Sequence, residues 1–127
     1  MMDMVVKRLV LANTFSINML PMLVGDAYKV LVERVTLTVA KELVDINRDR
    51  LHSVVGHEST AKFMSTLLGV EVPFNRELYK WKDGDLILAT MLNFRPPEGK
   101  VYTYEELKRL YEEGNIAFYV VDVEKIT

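Results

Sequence analysis

A chain of 127 residues, 50% of them hydrophobic, has the size of one domain and enough apolar content for one core. Its formal net charge of −2, with acids and bases interleaved, argues against a protein that coats long nucleic acid, which ordinarily needs a basic face. Cysteine is absent, so disulfides, thiolate zinc sites and cysteine nucleophiles are excluded.

No stretch approaches the ~20 consecutive apolar residues that span a bilayer. Lys7 and Arg8 precede a short apolar run, but Asn13, Ser16 and Asn18 interrupt it before any small-residue cleavage site. The expectation is a soluble cytoplasmic protein, in the host cytoplasm if the source is viral, with no membrane partner. Charged residues at 27% and no glutamine lean towards a thermophilic source.

In chain order, residues 5–12 are β-rich and apolar, as a buried central strand would be. Residues 13–21 mix polar and apolar side chains and end on Pro21, which predicts an ordered loop. Residues 28–37 alternate well enough for a second strand. Thr38 is a candidate cap for a helix whose stripe is Val39, Ala40, Leu43 and Val44. Leu51 to Gly56 leads into Gly56-His57-Glu58-Ser59-Thr60, after which Phe63, Met64, Leu67 and Leu68 recur at helical spacing up to Gly69. Residues 76–82 and 85–93 flank Asp83-Gly84, a strong hairpin signal. Thr103 and Glu106 have capping-box spacing at the start of a helix that ends at Gly114. Residues 116–123 supply the closing strand. The order ββααββαβ predicts a single α/β domain over residues 1–127, with a mixed five-stranded sheet and helices packed on it.

Two histidines are available for chemistry. His52 follows Arg48-Asp49-Arg50 and reads as part of a solvated surface. His57 precedes a run of hydroxyls at a helix start, where free N–H groups and the positive dipole end favour phosphate. Ser59 or Thr60 acting as a plain helix cap fits the same pattern. The Arg95-Pro96-Pro97-Glu98-Gly99-Lys100 loop follows the apolar strand, and its prolines would hold Arg95 and Glu98 in place. Arginine suits phosphate, and a carboxylate can orient a histidine; spacing alone favours a stiff turn with a surface ion pair. Asn75-Arg76 is a weaker candidate. No spacing for a metal site, glycine-rich phosphate loop or serine-hydrolase elbow occurs.

Three segments in order carry a resemblance: Leu11-Ala12-Asn13-Thr14-Phe15-Ser16-Ile17-Asn18-Met19-Leu20, Val55-Gly56-His57-Glu58-Ser59-Thr60 and Arg95-Pro96-Pro97-Glu98-Gly99-Lys100. With Asn75-Arg76 between the last two, the set resembles the small anti-CRISPR ring nucleases of archaeal viruses, some phages and mobile elements, from about Val5 to Val123. The resemblance implies a homodimer that binds cyclic tetra-adenylate across its interface and cuts it to linear di-adenylate without metal or cofactor. That molecule switches on nucleases of type III CRISPR defence, so its loss silences the defence. By this likeness His57 is the catalytic histidine, Glu98 its assisting glutamate and Arg95 the phosphate-facing arginine. Asn13, Ser16, Asn18, Ser59, Thr60 and Arg76 match ligand-contacting positions. Glu58 stands where aspartate is frequent, the Pro96-Pro97 pair is stiffer than usual, and Met91 replaces a polar residue of some relatives.

The chemistry that the resemblance implies makes physical sense. A ribose 2′-hydroxyl is an internal nucleophile, so the protein must align it with phosphorus, offset charge on phosphate and protonate the departing 5′-oxygen. Histidine, with an ordinary pKa of ~6.5, can supply that proton. A competing expectation is an interaction module, or a cyclic-oligoadenylate binder, that does no catalysis.

Overall fold

The computed structural model describes residues 4–127; the first three residues of the domain expected over 1–127 lie outside the described residues. Strand β1 (Arg8–Ala12) pairs in parallel on both sides, with β3 (Leu51–Ser53) and β4 (Asp85–Leu92). A strand covered on both faces needs no polar alternation, which is why residues 9–12 and 86–89 read as unbroken apolar runs. Strand β5 (Ile116–Lys125) runs antiparallel to β4 and to the edge strand β2 (Tyr28–Val35). The sheet order is β2-β5-β4-β1-β3, so the expected mixed five-stranded sheet in a single small α/β domain is present.

Helices α1 (Leu37–Ile46) and α2 (Glu58–Leu68) cover one face. Ala40, Leu43, Val44, Ala61, Met64 and Leu68 pack there on Leu9, Leu11, Leu86 and Leu88. Helix α3 (Tyr104–Glu112) closes a smaller cluster with Phe63, Leu107 and Ile116. The opposite face carries no α-helix among the described residues, only the single 3-10 turn Ile17–Met19. Leu20, Tyr79 and Trp81, from irregular segments, cover Val10, Ile87, Ala89 and Val121 instead.

Three expectations are corrected. Residues 76–82 do not form a strand, so no hairpin arises at Asp83-Gly84. The segment crosses the open sheet face, with Tyr79 and Trp81 buried beneath it. Its backbone bonds a loop rather than a strand, since the Trp81 amide donates to the Met19 carbonyl at 2.7 Å. Trp81 also meets Tyr28 edge-on, with ring centroids 5.9 Å apart. The fifth strand is β3, only three residues long, and the order is therefore ββαβαβαβ. The α1 cap is Thr36 rather than Thr38: its backbone is extended, its hydroxyl accepts from the Val39 amide at 3.2 Å, and the helix begins at Leu37, directly after β2 ends at Val35. The capping box at Thr103 and Glu106 forms as expected.

The start of β4 is pinned by Asp85. Its carboxylate accepts from Arg8 Nε at 2.9 Å and Nη2 at 2.7 Å, from the Tyr79 hydroxyl at 2.7 Å and from the Lys82 amide at 3.2 Å. Burial pushes the Asp85 carboxyl up, but the bonds from Arg8, Tyr79 and Lys82 outweigh it and hold the group below its ordinary value. Burial, reinforced by Asp85, raises the Tyr79 hydroxyl.

Candidate functional site

Because β3, β1 and β4 are parallel neighbours, their carboxyl ends open on one rim of the sheet. Ligands in open α/β sheets settle at such a rim, beside the point where the chain leaves in both directions. Asn13 follows β1, His57 follows β3, and the 93–100 loop follows β4. Residues far apart in the chain thus meet at one end of the fold.

His57 is the N-cap of α2, with extended backbone (φ −134°, ψ 129°) and no side-chain capping bond. Neither Ser59 nor Thr60 caps the helix. Ser59 instead donates to the Tyr102 carbonyl at 2.6 Å, tying α2 to the segment before α3. The first-turn amides of α2 therefore lack a side-chain cap, the arrangement that suits an anion.

Two clefts share His57, Asn13 and Thr14. One, of about 300 Å³, is mainly apolar and is walled by Phe63, Leu92, Phe94 and Tyr102, with Thr60, Thr90 and Lys100 on its lining. The other, of about 270 Å³, carries Ser16, Asn18, Arg76 and Glu77. The Ser16 hydroxyl bonds the Asn18 side chain, and Lys80 bonds the Asn18 carbonyl. Arg76 lies against Gly56, where a Cβ would stand 3.8 Å from Arg76 Nε. Of the expected ligand positions, the fold thus gathers Asn13, Ser16, Asn18, Thr60 and Arg76 around His57.

Arg95 and Glu98 are not brought to His57 within one chain. Both are exposed, and among the described residues neither makes a hydrogen bond or ion pair. Pro96 and Lys100 of the same loop border the apolar cleft instead. Lys100 donates to Glu106 at 2.8 Å, and this bond with the Thr103 amide pulls the Glu106 carboxyl down to about 2. Among the described residues no group of three His, Asp or Glu side chains converges as a metal site would. No helix there is long and apolar enough to cross a membrane.

His52 departs from the solvated surface expected of it. It is half-buried, and its Nε2 lies 2.7 Å from Glu77 Oε1. Thr14, Thr90, Glu77, Phe63 and Phe94 escaped the sequence reading. Phe94 and Tyr102 flank the Arg95–Lys100 stretch closely enough to have been weighed with it, whereas Thr90 sits inside an apolar run and gives no signal.

The STIV B116-like family profile matches residues 9–120. The chain belongs to that family. It is 40% identical to protein 26 of Sulfolobus islandicus filamentous virus over 72% of this chain and 76% of the relative. It is 29% identical to YddF of Bacillus subtilis over 70% of this chain and 79% of the relative. In three dimensions it is similar to B116 of Sulfolobus turreted icosahedral virus, with a TM-score of 0.68 and 31% identity over 90% of this chain and 97% of that one. Family membership thus links the chain to small proteins of archaeal viruses, and the fold is shared with B116.

Proposed function

We propose that this chain is a metal-independent ring nuclease that opens cyclic tetra-adenylate to linear di-adenylate and so counters type III CRISPR signalling. The observation that carries the reading is the position of His57: an uncapped helix N-terminus at the carboxyl ends of three parallel strands, shared by two clefts. A phosphate held by the first-turn amides of α2 and by Arg76 would lie beside the imidazole. The ribose 2′-hydroxyl attacks phosphorus and loses its proton to water, the P–O5′ bond breaks, and protonated His57 gives its proton to the departing 5′-oxygen and then regains one from solvent, leaving a 2′,3′-cyclic phosphate and a 5′-hydroxyl. Asn13, Ser16, Asn18 and Thr60 contact the sugar and phosphate chain, and Ser59 acts through Tyr102 to set the helix start.

Each cleft is no larger than the lower bound of ~300 Å³ for small-molecule pockets, so one chain holds only part of a four-nucleotide ring. Two copies related by a two-fold axis would present two histidines to opposite phosphates, giving two cuts. Arg95 and Glu98 engage the ring only when their exposed loop comes down on it.

The test is incubation of the protein with cyclic tetra-adenylate in EDTA, with linear products separated by chromatography. His57→Ala is expected to slow cleavage by about 10²–10⁴-fold while ring binding survives. A His57→Ala protein that cuts at the normal rate overturns the assignment, and binding without products in the unaltered protein makes it a sequestering module. Light scattering showing a monomer both with and without the ring removes the shared site.

A further inference from the structure

Glu77 places a carboxylate on the border of the same cleft as Arg76. Of the residues lining that cleft, only Arg76 and His57 can carry positive charge. An unpartnered carboxylate there would draw the guanidinium away and repel any phosphate. The structure does not leave it unpartnered. Glu77 Oε1 lies 2.7 Å from His52 Nε2 on β3 and accepts from Asn75 Nδ2 at 2.7 Å. Asn75 is anchored in turn, since Nδ2 also donates to the Ser53 carbonyl at 2.7 Å and its amide to the Val55 carbonyl at 2.9 Å. Arg76, between these two held neighbours, is turned towards Gly56 and has no hydrogen bond or ion pair among the described residues.

We infer that His52 is a positioning residue that withholds Glu77 from the cleft and so leaves Arg76 available to a phosphate group of the ligand. The inference rests on the anion-binding reading of the cleft given above. His52 touches no reacting atom in this account and acts only through Glu77.

A simple structural brace and a charge-withholding partner differ in what happens when Glu77 is neutralised. If the pair is only a brace, Glu77→Gln weakens ligand binding much as His52→Ala does, and combining the two brings no recovery. If His52 withholds charge, His52→Ala weakens binding, Glu77→Gln alone does not, and His52→Ala with Glu77→Gln regains wild-type affinity. The interaction at stake, between Glu77 and Arg76 or its phosphate, is one between exposed charges, so the expected loss for His52→Ala is about threefold at low salt, shrinking as salt rises. The loss should fall on KM and on binding, with kcat unchanged.

The four proteins are compared with two probes, cyclic tetra-adenylate and inorganic pyrophosphate, with the Arg76 Nε–H resonance reporting occupancy of the cleft. Recovery in the double variant with either probe supports the inference. His52→Ala indistinguishable from wild type, or no recovery in the double variant, overturns it. Pyrophosphate showing the pattern while the ring neither binds nor is cut retains the inference and rejects the ring-nuclease reading. Neither probe perturbing Arg76 in the unaltered protein rejects both.

Discussion

Replacing Asp85 with Asn keeps the side chain's shape and removes its charge at the point where β4 begins. In the best rotamer the remaining carbonyl oxygen takes the Oδ2 position, which faces Arg8 Nη2, the Tyr79 hydroxyl and the Lys82 amide. The new amide group then confronts Arg8 Nε, a donor with nothing to accept it. The lost pair is partly buried, with the Asp85 side chain 4% exposed and Arg8 29% exposed. Water can recover part of the Arg8 guanidinium, so the cost lies at or just below the lower end of the range for breaking a buried pair, about 2–3 kcal/mol. For 127 residues at about 2.1 cal/mol/K each, the unfolding entropy is about 0.27 kcal/mol/K, which converts the loss to a Tm drop of about 7–11 °C. The assay is urea unfolding at pH 7, read as a lower midpoint at unchanged slope. Because the folded Asp85 carboxyl is held below its ordinary value, the stability it adds is fully present above the unfolded pKa of ~3.9. It is lost as pH falls through the folded pKa, so the gap between wild type and variant should narrow on acidification below about pH 4. A variant within ~0.5 kcal/mol of wild type at pH 7 would refute the claim that this carboxylate pins β4.

Thr90 is 5% exposed and its hydroxyl finds no hydrogen-bond partner among the described residues; Thr90→Val should stabilise the fold by about 1 kcal/mol in urea, and a loss instead would mean the hydroxyl is satisfied in solution. Arg95→Ala should weaken binding of cyclic tetra-adenylate, and Glu98→Ala should slow cleavage less than His57→Ala does. Since both side chains are exposed and unpartnered among the described residues, thermal unfolding should move by no more than about 2 °C in either variant. Wild-type cleavage and binding by both variants would exclude the loop from the site.

Much of the architecture was legible in the chain because its signals are local. The unbroken apolar runs of β1 and β4 require strands buried on both faces, and Thr103 with Glu106 caps α3 through bonds three residues apart. His57 was legible as a helix-start residue, since Gly56 and the following hydroxyls mark that start whatever the fold. Long-range contacts decided the rest. Asp83-Gly84 carries a hairpin's turn chemistry, yet residues 76–82 leave the sheet plane because Tyr79 and Trp81 gain a whole sheet face to bury against, and no local pattern encodes that face. Strand β3 is too short for periodicity and exists only because β1 offers it an edge. The meeting of Asn13 and His57 depends on β1 and β3 ending at one rim, that of Arg76 on the segment after α2 returning past Gly56, and the pairing of His52 with Glu77 joins residues 25 apart. Residue type and spacing therefore determined which side chains could do chemistry, while strand order and the path of the segment between α2 and β4 decided which of them stand together.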